Sequence, residues 1–131
     1  MSTECSLAVP GSGRVSALVV RPPKAVLGYV LAHGAGAGMR HAFLETMAQR
    51  LAGRGVATFR YQFPYMEAKK GRPDSPEVAA AAVRAAAAEA SQQLGGLPLV
   101  AGGKSFGGRS PAWIAPSKRS ASLTRLRERR C

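Results

Sequence analysis

The sequence predicts an α/β fold, with a mostly parallel sheet, helices on both of its faces, and a basic tail without regular structure. Three observations carry this. Apolar runs closed by glycine or proline ("AVLGYVLAHG", "VATFRYQFPY", "LPLVAGG") are separated by stretches with helical spacing, and such alternation implies right-handed crossovers between parallel strands. The 131 residues are one domain's worth of chain, 46% hydrophobic and 20% charged, which suits a packed core. After Arg109 that character ends. "SPAWIAPSKRSASLTRLRERRC" has two prolines, a Ser/Arg-rich stretch and no strand pattern. The expected organisation is a folded part over residues 1–109 and a solvated tail over residues 110–131.

Taken in order, "SLAVP" and "RVSALVVRP" read as two strands around a turn at Gly11, Ser12 and Gly13, the second as an outer strand of a mixed sheet. "AVLGYVLAHG", residues 25–34, is continuously apolar and suits a strand buried on both faces. "MRHAFLETMAQRLAGRG" is a helix. Phe43, Leu44, Met47 and Leu51 fall on one face, and Gly53 or Gly55 stops it. "VATFRYQFPY" is a strand cut by Pro64, and "MEAKKGRPDSP" a charged loop. Ser75 or Asp74 caps the next helix, with Pro76 at its first position and Glu77 in its first turn. That alanine-rich helix ends near Gly95 and Gly96, and "LPLVAGG" is the last buried strand.

The net charge of +12 would ordinarily suggest a nucleic-acid or acidic partner. Its location argues otherwise. From Arg109 onward, seven Lys/Arg and one acid give +6, half of the excess, in the last 23 residues. Aromatics are only 6%, and no nucleic-acid recognition motif is present. The two cysteines, Cys5 and Cys131, have no metal-ligand spacing. No leader pattern and no apolar run of membrane-spanning length occurs, so a soluble, cytoplasmic protein off the membrane is expected. Nothing in the sequence fixes an oligomeric state.

Chemistry concentrates in two glycine-rich turns. "GGKSFGG", residues 102–108, resembles both a phosphate loop and a nucleophile elbow. A phosphate loop needs a glycine five positions before Gly103. Pro98 stands there, and Leu99 to Gly102 still belong to the strand. The elbow needs Gly-x-Ser-x-Gly at a strand-to-helix turn, and Gly103-Lys104-Ser105-Phe106-Gly107 supplies it. Ser105 is then the nucleophile. Gly103 and Gly107 give the room the sharp turn requires, and the Phe106 N–H faces a developing oxyanion. The second turn, "HGAGAG" at residues 33–38, follows a buried strand and precedes a helix. This is where a hydrolase takes its other oxyanion donor, here Ala35 or Gly36, with His33 as a positioning residue. A dinucleotide fingerprint would need glycine where Met39 stands. His41 reads as a surface or loop-packing residue and Asp74 as a helix cap. Lys104 could be read as a base, but adjacent side chains on a turn diverge, which argues against it.

"LAHGAGAGMRHAFLETMAQRLAGRGVATFRYQFPYME" and "LPLVAGGKSFGGR" together resemble a predicted α/β-hydrolase family related to the dienelactone hydrolases. Its eukaryotic relatives include a non-enzymatic-looking subunit of a histone-acetyltransferase complex. The likeness covers residues 15–109. It implies the N-terminal part of an α/β-hydrolase sheet, a serine nucleophile at Ser105, small ester-like substrates and no cofactor.

In that fold the acid and the histidine of the triad follow the serine. After Ser105 this chain has one acid, Glu128, and no histidine. The expected function is serine hydrolysis of ester or similar acyl bonds by descent, with the chain inactive as it stands. Composition, likeness and fold logic all break near Arg109, which suggests a reading-frame shift there. A genuine short form with a new tail is the competing explanation. The alternative function is a non-catalytic binding or scaffold protein of hydrolase fold whose basic tail contacts nucleic acid.

Overall fold

A computed structural model describes residues 2–34 and 37–103. The elements are β1 (Thr3–Val9), β2 (Gly13–Val20), β3 (Leu27–Ala32), α1 (Ala42–Ala52), β4 (Val56–Tyr61), α2 (Pro64–Glu67), α3 (Pro76–Gln93) and β5 (Leu99–Gly103). They form one five-stranded sheet in the order β1-β2-β4-β3-β5. The strands β4, β3 and β5 are parallel to one another, as the crossovers through α1 and through α2–α3 require. The β1–β2 hairpin joins them through antiparallel pairing of β2 with β4. Its tight turn is closed by Ser12 N–H donating to the Val9 carbonyl at 2.9 Å. Glycine is needed at both flanks, since Gly11 and Gly13 have φ of 80° and 83°.

The strands alternate between two faces. Ala17 and Val19 of β2, Val30 of β3 and Phe59 of β4 are buried in the core that contains the inner face of α3. Buried Ala79, Ala82, Val83, Ala86 and Ala90 recur along that helix every three or four residues. Their small side chains let a long helix lie close to the sheet. Leu18, Val20 and Leu31 are buried on the opposite side, outside that core, as are Leu44 and Ala48 of α1.

The expected caps differ in detail. Ser75 caps α3, its hydroxyl accepting from Val78 N–H at 3.3 Å. Asp74 instead caps α2, accepting from Tyr65 N–H at 3.1 Å. His41 is the N-cap of α1, its Nδ1 accepting from Phe43 N–H at 3.2 Å. The strand expected over residues 56–65 stops at Tyr61, and Pro64 opens the short α2 rather than cutting a strand. β2 is not an outer strand. It pairs on both sides, and β1 takes the edge.

β5 forms the other edge of the sheet among the described residues, and Val100 on it is 44% exposed. An apolar, parallel-type edge is a template for association. Val100→Lys is therefore expected to reduce concentration-dependent light scattering of the purified chain while leaving its thermal transition in place.

Candidate active site

The register of the parallel strands sets the starts of the two glycine-rich segments next to each other. Ala32 at the end of β3 pairs with Gly103 at the end of β5. His33, which follows β3, and Gly103, which ends β5, therefore lie at the same end of the sheet on adjacent strands. Close packing exists there already: a Cβ on Gly102 would lie 2.6 Å from the Tyr29 hydroxyl. Of the expected site residues, His33 and Gly103 are described. Ala35, Gly36, Lys104, Ser105, Phe106 and Gly107 lie outside the described residues.

His33 is fully buried, and both ring nitrogens are engaged. Nε2 accepts from the Phe63 N–H at 3.0 Å. Nδ1 therefore carries the proton and donates to the Gly34 carbonyl at 2.8 Å. The ring meets Phe63 and Tyr65 edge-on, at centroid distances of 4.9 and 5.9 Å. Burial holds its pKa below the usual 6.5, opposed by the hydrogen bond to Gly34 and by the Asp74 charge. A neutral imidazole with both nitrogens occupied has no lone pair for a serine proton. It fixes a backbone carbonyl inside the turn instead.

Sequence reasoning missed the residues that hold this turn from below. Gln62 Oε1 accepts from the Met39 N–H at 2.8 Å. Arg60, fully buried, donates from Nη1 to the Met39 carbonyl at 3.3 Å and to Glu45 Oε1 at 2.9 Å. Its Nε and Nη2 are buried and have no partner among the described residues. Glu45 is held below the usual carboxylate range, first by the Arg60 hydrogen bond and then by one from Gln49. The only signal in the sequence was the "RYQFPYME" segment itself, quoted for its likeness but given no role.

Two of the hollows among the described residues differ in their relation to these strands. The larger, about 460 Å³, lies between the β1–β2 hairpin and α3, lined by residues such as Leu7, Arg14 and Arg84. It is at the opposite edge of the sheet from β3 and β5. The smaller, about 160 Å³, is bordered by Tyr29, Leu31, Phe43 and Gly103 and adjoins the elbow strand. Among the described residues no group of three or more His, Cys, Asp or Glu could hold a metal, and no helix is long and apolar enough to cross a membrane.

A family model for the alpha/beta hydrolase domain matches residues 24–126. The chain belongs to that family. The matched span contains both glycine-rich turns and runs past Arg109 into the basic stretch. No curated protein sequence matches significantly. Among solved structures, a dienelactone hydrolase from Anabaena variabilis superimposes with a TM-score of 0.73 at 21% identity, covering 92% of this chain and 59% of that one. A lidless α/β serine hydrolase from Xanthomonas campestris gives 0.68 at 22%, covering 95% and 57%. A cold-adapted esterase from an Arctic intertidal metagenomic library gives 0.66 at 20%, covering 93% and 56%. These likenesses establish the fold. The chain spans a little over half the length of these neighbours.

Proposed function

We propose that the site at the ends of β3 and β5 is that of a serine hydrolase acting on ester or similar acyl bonds. The observation that supports this is the pairing of Ala32 with Gly103, the two residues from which the HGAGAG and GKSFG segments of the sequence run on. In this reading Ser105 attacks the acyl carbon. The N–H of Phe106 and that of Ala35 or Gly36 take the oxyanion, and His33 shapes the turn without taking part in proton transfer. The neighbours' printed names, dienelactone hydrolase and esterase, agree with small acyl substrates.

A serine hydroxyl needs a base to become a competent nucleophile. His33 is committed to the turn. His41 spends its Nδ1 on the α1 cap, and no histidine follows Ser105. Residues 1–131 alone are therefore expected to hydrolyse p-nitrophenyl acetate no faster than their Ser105→Ala variant. Steady-state turnover that Ser105→Ala abolishes would support the nucleophile but contradict the missing base. Faster turnover in both proteins would place the chemistry elsewhere.

A further inference from the structure

The hollow of about 460 Å³ between the β1–β2 hairpin and α3 falls within the size range of small-molecule pockets. It lies at the β1 edge of the sheet, with β2, β4 and β3 between it and β5. The composition of α3 explains why the space is open. Ala79, Ala82, Val83, Ala86 and Ala90 pack inward on that helix. The neighbouring face, turned to β1, carries Ala85 and Ala88, whose methyl groups leave the space beside Leu7 unfilled.

Charged groups stand around this apolar floor. Arg14 donates from Nε to Ser6 Oγ and from Nη2 to the Ser6 carbonyl, both at 3.0 Å. Two bonds to one residue hold the guanidinium in place, and neither uses Nη1. Arg84 lines the α3 wall and has no carboxylate partner among the described residues. Glu89 is the one acid of the lining, and its Oε2 accepts from Gln93 Nε2 at 3.0 Å. Two guanidinium groups against one carboxylate leave the hollow net positive. Gln92 also borders it. The Gln92 Oε1 is buried without a partner, so turning that amide towards a ligand gives up no hydrogen bond at the oxygen.

We propose that this hollow binds a small organic carboxylate with an apolar body. Arg84 takes the carboxylate, the pinned Arg14 adds charge, and the body lies against Leu7, Ala85 and Ala88. The lining selects this class by its two halves. An inorganic anion would leave the alanine floor in contact with water, and a neutral apolar molecule would make no use of the arginines. The site is separate from Ser105 and does not depend on the serine-hydrolase reading.

The test is an NMR titration of the full chain with 4-phenylbutyrate, beside 4-phenylbutan-1-ol as its neutral counterpart. The carboxylate is expected to shift the amide signals of Ala8, Ala85 and Ala88 and the side-chain amide of Gln92, saturating with a dissociation constant on the order of 1 mM. The alcohol should bind at least about five-fold more weakly, and Arg84→Gln should weaken the carboxylate by about the same factor, the range for a charged contact at a partly exposed site. Ala88→Leu puts a larger side chain into the hollow on a residue type that favours helix, and should abolish the shifts. The signals of Val30 and Phe59 report that each variant is folded. Equal binding of acid and alcohol, or wild-type affinity in Arg84→Gln or in folded Ala88→Leu, would overturn the proposal. So would shifts that do not saturate, or that fall on residues 110–131 instead of the hollow.

Discussion

His33→Ala lowers folding stability by about 3 kcal/mol and the melting temperature by roughly 10 °C. The imidazole is fully buried between Phe63 and Tyr65, so its loss leaves a cavity. It also leaves the Phe63 N–H without its acceptor and removes one donor from the Gly34 carbonyl. Differential scanning fluorimetry and urea unfolding read the change directly. The same residue makes a pH prediction. Burial depresses the folded pKa of His33 below 6.5, so the unfolded chain binds the proton more readily. The stability tied to neutral His33 is complete above pH 6.5 and is lost as pH falls through that value towards the folded pKa. The wild type should therefore lose stability between pH 7 and pH 5 more steeply than His33→Ala. Parallel pH profiles would show that the ring is not buried neutral.

Glu45→Ala is expected to cost about 2 kcal/mol, the range for a hydrogen bond to a charged group. Its carboxylate is the only acidic partner of a guanidinium with no solvent exposure, among the described residues. Arg60 would keep only the Met39 carbonyl at 3.3 Å, with Nε and Nη2 already lacking partners among the described residues. The Glu45 side chain is itself 45% exposed, which holds the figure below that of a fully buried pair. The cost should depend on Arg60. In an Arg60→Met background, Glu45→Ala should cost less than about 0.5 kcal/mol, because no buried charge is then stranded. Urea unfolding of the four proteins measures the coupling, and additive effects would show that the pair contributes nothing. The depressed Glu45 pKa works in the opposite pH range to neutrality. Its contribution is complete above pH 4.5 and disappears as acid carries the group through its lower folded value.

Most of the chain's regular structure was legible because hydrophobic periodicity reports burial. The runs at residues 25–34, 56–65 and 97–103 each contain a strand, and the alanine-rich stretch is the long helix. What escaped depends on contacts distant in sequence. Asp74 next to Ser75 looks like a rival cap for α3, yet its partner is Tyr65, nine residues earlier. Pro64 looks like an interruption in sequence, yet proline at a first helical position is compatible with helix. Four residues are too few to show a helical period. Arg60 carries no sequence mark of burial. A charged residue in an apolar run normally marks the solvent, and here Glu45 of α1 and the Met39 carbonyl hold it inside. The two glycine-rich motifs are visible in the sequence, but the register that pairs Ala32 with Gly103 belongs to the sheet. His33 was expected to position the turn. Its bond from the Phe63 N–H, and that of Gln62 from the Met39 N–H, join residues distant in sequence.

The central claim, that the ends of β3 and β5 form a serine-hydrolase site with Ser105 as nucleophile, is tested most directly by covalent capture. The full chain is incubated with a fluorophosphonate probe and digested, and the modified residues are mapped by mass spectrometry beside Ser105→Ala. The account predicts slow, stoichiometric modification at Ser105, slow because residues 106–131 contain no histidine, and none in Ser105→Ala. Modification spread over other serines, or none at Ser105 while the protein is folded, would contradict it.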